Sequence, residues 1–171
     1  TPAAPVEVVV TKEVVVTKEV QVEVEREAFT TPHPILGDLK VRQALSYCTN
    51  KADLLKSVYP LIDDEARAGL VMNGFIAQSH WAYAGNDNMT IYNFDPAKGA
   101  ALLDEAGWTL GEGADFRSNA AGDELSLKFT TTSAAFRQTW AAIWEQQMAG
   151  CGVRVVRLHA PASWWFGDTT G

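Results

Sequence analysis

Between Asp38 and Thr49 the apolar residues recur at helical spacing: Val41, Ala44, Leu45 and Cys48 fall at i, i+3, i+4 and i+7, which puts them on one stripe of a helix. Asp38 can accept a hydrogen bond from the first free backbone N–H groups, so the pattern predicts a helix opened by Asp38 and ending near Thr49. Asn50-Lys51-Ala52-Asp53 resembles a capping box with Asp in place of Glu. It opens a second helix, with Leu54, Leu55 and Val58 facing inward and Pro60 as its stop. From 60 to 94 neither period is clear, apart from a short helix at 64 to 69. This stretch holds Gly74, Gly85 and the aromatic cluster His80-Trp81-Ala82-Tyr83. So long a loop inside a compact domain points to a task. Asp95-Pro96 then supplies an N-cap with proline at the first helical position, and Ala100, Leu103 and Ala106 form a stripe that ends at Gly107.

Leu125-Ser126-Leu127-Lys128-Phe129-Thr130 alternates as a half-buried strand does. Ser133 is the expected cap of a helix whose stripe is Phe136, Trp140, Ile143, Trp144 and Gln147, and Trp140 and Trp144 are assigned to the core. Gly150 and Gly152 end this helix, and Val153 to Leu158 reads as a second strand. Strand, helix, strand in this order implies a crossover joining parallel strands, so the fold class is α/β.

Ahead of this part lies a segment of another kind. Val8-Val9-Val10-Thr11-Lys12-Glu13 is repeated as Val14-Val15-Val16-Thr17-Lys18-Glu19 and fades into Val20-Gln21-Val22-Glu23-Val24-Glu25. A repeat of six residues matches the strand period of two and not the helical 3.6, and valines lose side-chain freedom in a helix. Residues 1–28 are therefore expected as an extended tether, with 29–171 as the globular part. The tether reads as a stalk; a low-complexity segment without a role, or a strand pairing between copies, are the competing readings.

Acidic residues outnumber basic ones by 21 to 14, for a formal charge of −7. Such a balance repels phosphate backbones and anionic headgroups, so nucleic acid is not an expected partner. No apolar run reaches the roughly 20 residues that cross a bilayer, and a signal peptide is expected to have been removed. Cys48 and Cys151 belong to no Cys-x-x-Cys pair and stand near no histidine cluster, which gives neither a metal nor a cofactor a ligand set. They close one disulfide if the chain is exported, or remain buried thiols; spacing does not decide, and the thiol reading is preferred. No Gly-x-Ser-x-Gly elbow, phosphate-binding glycine loop or His-Glu-x-x-His occurs, so an enzyme is not expected. Asp63-Asp64-Glu65 reads as a solvated acidic cap rather than a calcium loop, and Asp115 to Glu124 as a turn with Gly122.

Two segments resemble the family 5 extracellular solute-binding proteins of peptide and nickel ABC importers. Gly37-Asp38-Leu39-Lys40-Val41-Arg42-Gln43-Ala44-Leu45 is similar to the helix that opens that family's second large lobe. Phe94-Asp95-Pro96-Ala97-Lys98-Gly99-Ala100-Ala101-Leu102-Leu103-Asp104-Glu105-Ala106-Gly107-Trp108 is similar to its Tyr-Asp-Pro-x-Lys-Ala helix, with Gly99 where the family has Ala. The resemblance covers residues 34 to 166. It implies part of one lobe of a periplasmic-binding-protein-like (type II) fold, with a parallel βαβ unit and additional helices, at the extracellular face of the envelope or in the periplasm. It also implies capture of a short peptide or similar small solute, and ABC importer permease subunits as partners. The tether resembles the spacers of lipoproteins, so a lipid anchor is the one membrane link expected. Against the family's length, the first lobe and the continuation past Gly171 are expected to be missing. A non-binding envelope interaction module, or a truncated remnant, is the alternative.

The expected ligand contacts are His80, Trp81 and Tyr83 in the long loop, and Trp164 and Trp165 after the second strand. Open α/β sheets bind ligands at the carboxyl ends of their strands, and aromatic faces cover peptide side chains without demanding one sequence. Set against this is a packing reading, in which the same rings fill this lobe's own core or meet another lobe.

Overall fold

A computed structural model of the protein describes residues 32–167, and the tether expected over 1–28 lies outside them. Asp38 accepts from the Lys40 backbone N–H at 2.7 Å and opens α1, Leu39–Tyr47. Val41, Ala44 and Cys48 are fully buried, as their spacing predicts. Asn50 caps α2, Lys51–Val58, but only half of the expected capping box forms. The Asp53 carboxylate takes the Asn50 side-chain amide at 2.8 Å, while the Asn50 backbone N–H donates to Gln147 Oε1 at 3.0 Å. A residue 97 positions away thus satisfies the donor that the local motif leaves over. Leu54, Leu55 and Val58 are half-buried rather than enclosed.

The short helix α3, Asp64–Gly69, forms on the predicted residues and is capped by Asp63. The Arg67 guanidinium beside Asp64 holds that carboxyl below its usual range, which gives the acidic run its structural place. A 3-10 turn follows at Asn86–Asn88. In α4, Pro96–Glu105, Asp95 caps the Lys98 N–H at 3.0 Å and Leu103 is fully buried. The chain then returns through Trp108, which is buried, and through the turn at Asn119–Asp123.

Strand β1, Ser126–Thr132, runs parallel to β2, Arg154–Ala160, in the register Ser126↔Arg154 to Thr132↔Ala160. Both run two residues past their predicted ends, because β-branched Thr131 and Thr132 continue the ladder and are buried. Between them lies α5, Ala135–Gly150, which corrects two expectations. Its N-cap is Ala134, with no side-chain cap bond; Ser133 is drawn to the strand edge, where its N–H donates to the Ala160 carbonyl at 2.9 Å. Full burial on α5 falls on Ala141 and Met148, whereas Phe136 is 51% exposed. Trp144 packs on the core from its margin and Trp140 is half-buried, both against Phe129, at ring centroid distances of 5.0 and 5.5 Å. Two indoles have more surface than a thin sandwich of one helix and two strands can enclose. Past α5, Gly152 takes φ +78°, a left-handed conformation that lets its N–H close the helix on the Ala149 carbonyl at 2.9 Å. The chain ends its described part in a one-turn helix, α6, Ala162–Trp165.

Helix α1 packs on α4, α2 on α5, and α5 on β2. Ion pairs cross two of these seams: Lys40 to Glu105 at 3.0 Å and Arg157 to Glu145 at 2.7 Å. The core gathers residues from α1, α4, α5 and both strands, with Leu103, Leu125, Met148, Val41 and Val153 at its centre.

Cys48 and Cys151, the caps that follow α1 and α5, are joined in a disulfide, which overturns the preference for buried thiols. The stripe that buries Cys48 and the turn that ends α5 aim both sulfurs at one point beside α4. A Cβ at Gly99 would stand 2.4 Å from Cys48 Sγ, so the sulfur accounts for the glycine where the family pattern has alanine. Close by, Arg117 is 5% exposed; it donates to the carbonyls of Cys151 at 2.9 Å and Trp108 at 2.7 Å and pairs with Asp104.

Two stability predictions follow from these contacts. Arg117→Ala strands two buried carbonyl groups and lowers the unfolding free energy by about 2–4 kcal/mol in urea titration, and Arg117→Lys, lacking the planar fork, restores less than half. Reduction of the disulfide, which closes a loop across a separation of 103 residues, lowers it by about 2–5 kcal/mol. Guanidinium curves with and without a dithiol reductant check the second, and coincident curves refute it.

Candidate functional site

The predicted contact residues fall into two groups on different elements. In the first, the loop after α3 is stitched by its own polar side chains. Lys51 Nζ donates to the Met72 carbonyl and to Asn73 Oδ1, both at 3.1 Å, and Asn73 Nδ2 donates to Asn86 Oδ1 at 3.0 Å. The same Asn86 oxygen accepts from Tyr83 Oη at 2.6 Å, and Asn88 Nδ2 donates to the Ala84 carbonyl at 2.6 Å. Partial burial pushes the Lys51 ammonium pKa down. Tyr83 therefore holds the loop in shape. His80 does the same, since its Nδ1 accepts from the Ala82 N–H at 3.1 Å. Trp81 lies beside the His80 ring, centroids 5.6 Å apart, and is 91% exposed. Of the three, Trp81 is the residue whose ring stands almost wholly in the open.

The second group stands at the carboxyl edge of the two strands. Trp165 Nε1 donates to the Thr131 carbonyl at 2.9 Å, and Trp164 meets Trp165 edge-on at 4.8 Å. Trp165 is thus anchored, while Trp164 is 47% exposed. Around this anchor lies a recess of about 130 Å³ lined by Thr130, Thr131, Thr132, Arg137, Trp165 and Phe166. Arg137 reaches Thr131 Oγ1 at 3.4 Å. A recess of this size holds a side chain or a carboxylate, short of the roughly 300 Å³ at which pockets for whole small molecules begin.

Sequence reasoning missed Arg137 and the threonine run, whose place beside Trp165 depends on the sheet edge. It also missed the larger hollows. One, about 570 Å³, is an open apolar groove whose walls include Leu54, Val58, Leu70, Met72 and Trp140. An adjoining one of about 510 Å³ continues from Leu55 and Met72 to Ser79, the residue before His80. The half-buried face of α2 is one wall of this surface. A third, about 540 Å³, lies between His33–Leu36 and β1. Among the described residues no cluster of three or more His, Cys, Asp or Glu is placed to hold a metal ion.

Residues 2–165 match the family described as bacterial extracellular solute-binding proteins, family 5 Middle. The chain is 42% identical over 76 residues to the dipeptide-binding protein of Escherichia coli K12, covering 44% of this chain and 13% of that one. It is 33% identical over 137 residues to the nickel-binding periplasmic protein of the same organism, covering 78% and 24%. Its fold is that of the oligopeptide-binding protein from Bacillus subtilis in complex with a nonapeptide, at a TM-score of 0.67 and 21% identity, over 77% of this chain and 25% of that one. The chain spans less than a quarter of the length of either curated relative. Matched over nearly its whole length, and with a parallel α/β lobe to go with the match, the chain belongs to the family 5 bacterial extracellular solute-binding proteins.

Proposed function

We propose that this chain is part of the substrate-capturing component of a peptide-type ABC importer. It supplies one wall of a solute site at the outer face of the envelope and works with membrane permease subunits. The family match over residues 2–165 carries this reading. The ligand is a short peptide, in keeping with the dipeptide-binding relative. Trp81, on a loop braced by hydrogen bonds, and Trp164, propped by anchored Trp165, offer apolar faces that cover peptide side chains of varied sequence. Arg137 and the threonine hydroxyls offer donors at the same edge. The buried disulfide supports an oxidising compartment. The valine-rich segment serves as spacer, with a lipid anchor as the membrane link. The lobe acts in binding and not in catalysis.

The test is a thermal melt of the chain with and without di- to hexapeptides at about 100 times the dissociation constant, where binding adds about 2.7 kcal/mol of stability. We expect a clear upward shift. Trp81→Ala leaves the ligand-free melt within about 0.5 kcal/mol of the parent, since the ring is almost fully exposed, and removes most of the peptide-induced shift. A cooperative melt that peptides do not move refutes capture by this lobe and favours an interaction module. A full shift retained in Trp81→Ala refutes the assigned contact.

A further inference from the structure

The bond between Cys48 and Cys151 is shut away, the two residues being 0% and 3% exposed, and α4 runs directly past it. Gly99 is the buried point of approach. A Cβ there would lie 2.4 Å from Cys48 Sγ, 3.1 Å from the Ala44 carbonyl oxygen and 3.5 Å from the Cys48 backbone nitrogen. The first distance is far inside contact, while the second asks the neighbour to give by only a few tenths of an ångström. Gly99 is not among the glycines with positive φ, so backbone freedom does not explain it, and glycine is a poor residue for a helix interior. A free Cys48 thiol could turn to another rotamer and make room. A sulfur bonded to Cys151 cannot, because disulfide geometry fixes it from both ends.

We propose that the disulfide and Gly99 form a redox-dependent clasp, in which the space of a side chain at position 99 belongs to the Cys48 sulfur only while the bond is closed. Closing the bond and seating α4 on α1 are then coupled steps. Closure takes two electrons and two protons from the Cys48 and Cys151 thiols and passes them to the disulfide of a thiol–disulfide oxidant, which leaves as a dithiol. A dithiol reductant runs the exchange in reverse. Coupling of this kind is reciprocal: a side chain at 99 weakens the bond by the factor by which the bond resists the side chain.

The experiment compares Gly99→Ala in the 171-residue chain with the same change in a Cys48→Ala/Cys151→Ala background. Trimethylamine N-oxide is present throughout to keep the cysteine-free chain folded. We expect the change to lower Tm by about 5 °C or more with the disulfide and by under about 2 °C without it. By alkylation and mass spectrometry, half-reduction in mixed reduced and oxidised dithiothreitol comes at a roughly tenfold lower ratio of dithiol to disulfide than in the parent. Equal losses of Tm in both backgrounds overturn the clasp and assign the glycine to the Ala44 carbonyl, as does an unchanged half-reduction ratio. Should Gly99→Ala with both cysteines fail to fold, folding in the cysteine-free background upholds the proposal and failure there overturns it.

Discussion

Three helix termini meet at one covalent point, and the remainder of the lobe is arranged around it. Cys48 follows α1, Cys151 follows α5, and α4 begins where the Asp95 N–H donates to the Tyr47 carbonyl at 2.9 Å. Once the sulfurs are joined, the ends of α1 and α5 cannot separate, and α4 lies against α1 with a glycine at the contact. Arg117 serves the same junction from the other side, linking the Cys151 carbonyl to Trp108 and Asp104. Among the described residues the sheet has two strands, and so narrow a sheet buries little apolar surface against itself. Covalent and charge-assisted ties therefore carry weight that a larger core would supply elsewhere.

A second tie joins the break between α1 and α2 to α5. Gln147 accepts from the Asn50 N–H and donates to its carbonyl, and Trp144 Nε1 donates to Thr49 Oγ1 at 3.0 Å. Helix α5 thus touches the sheet with one face and holds a helix junction with another. This double duty explains why its aromatic residues sit at the margins while Ala141 and Met148 run through the middle.

What the sequence made legible was what is local. Asp38, Asn50, Asp63 and Asp95 cap the helices they precede because a cap bond spans two or three residues. Leu125, Leu127 and Phe129 alternate because a strand has period two, and the order strand, helix, strand was enough for a parallel pair. What escaped needed distant partners. The pairing of Cys48 with Cys151, the reach of Gln147 to Asn50 and the burial of Arg117 within a stretch read as a turn all depend on elements meeting in space. For the candidate site, the aromatic residues stood out by composition. Which rings brace and which face outward was decided by bonds such as Tyr83 to Asn86 and Trp165 to Thr131, and no spacing encodes those.

The loop that carries Trp81 is irregular in backbone and well furnished with internal bonds. Asn73 and Tyr83 both donate to the Asn86 side-chain oxygen, Asn88 donates to the Ala84 carbonyl, and Lys51 tethers Asn73 to α2. Its conformational entropy is consequently surrendered during folding and not at the moment of encounter. Under the proposed role of Trp81 as a contact, the backbone that carries the ring is thus in place before any solute arrives. On that proposal the ordering cost left for association falls on the exposed Trp81 side chain and on the solute, which favours short ligands with few rotatable bonds over long flexible ones.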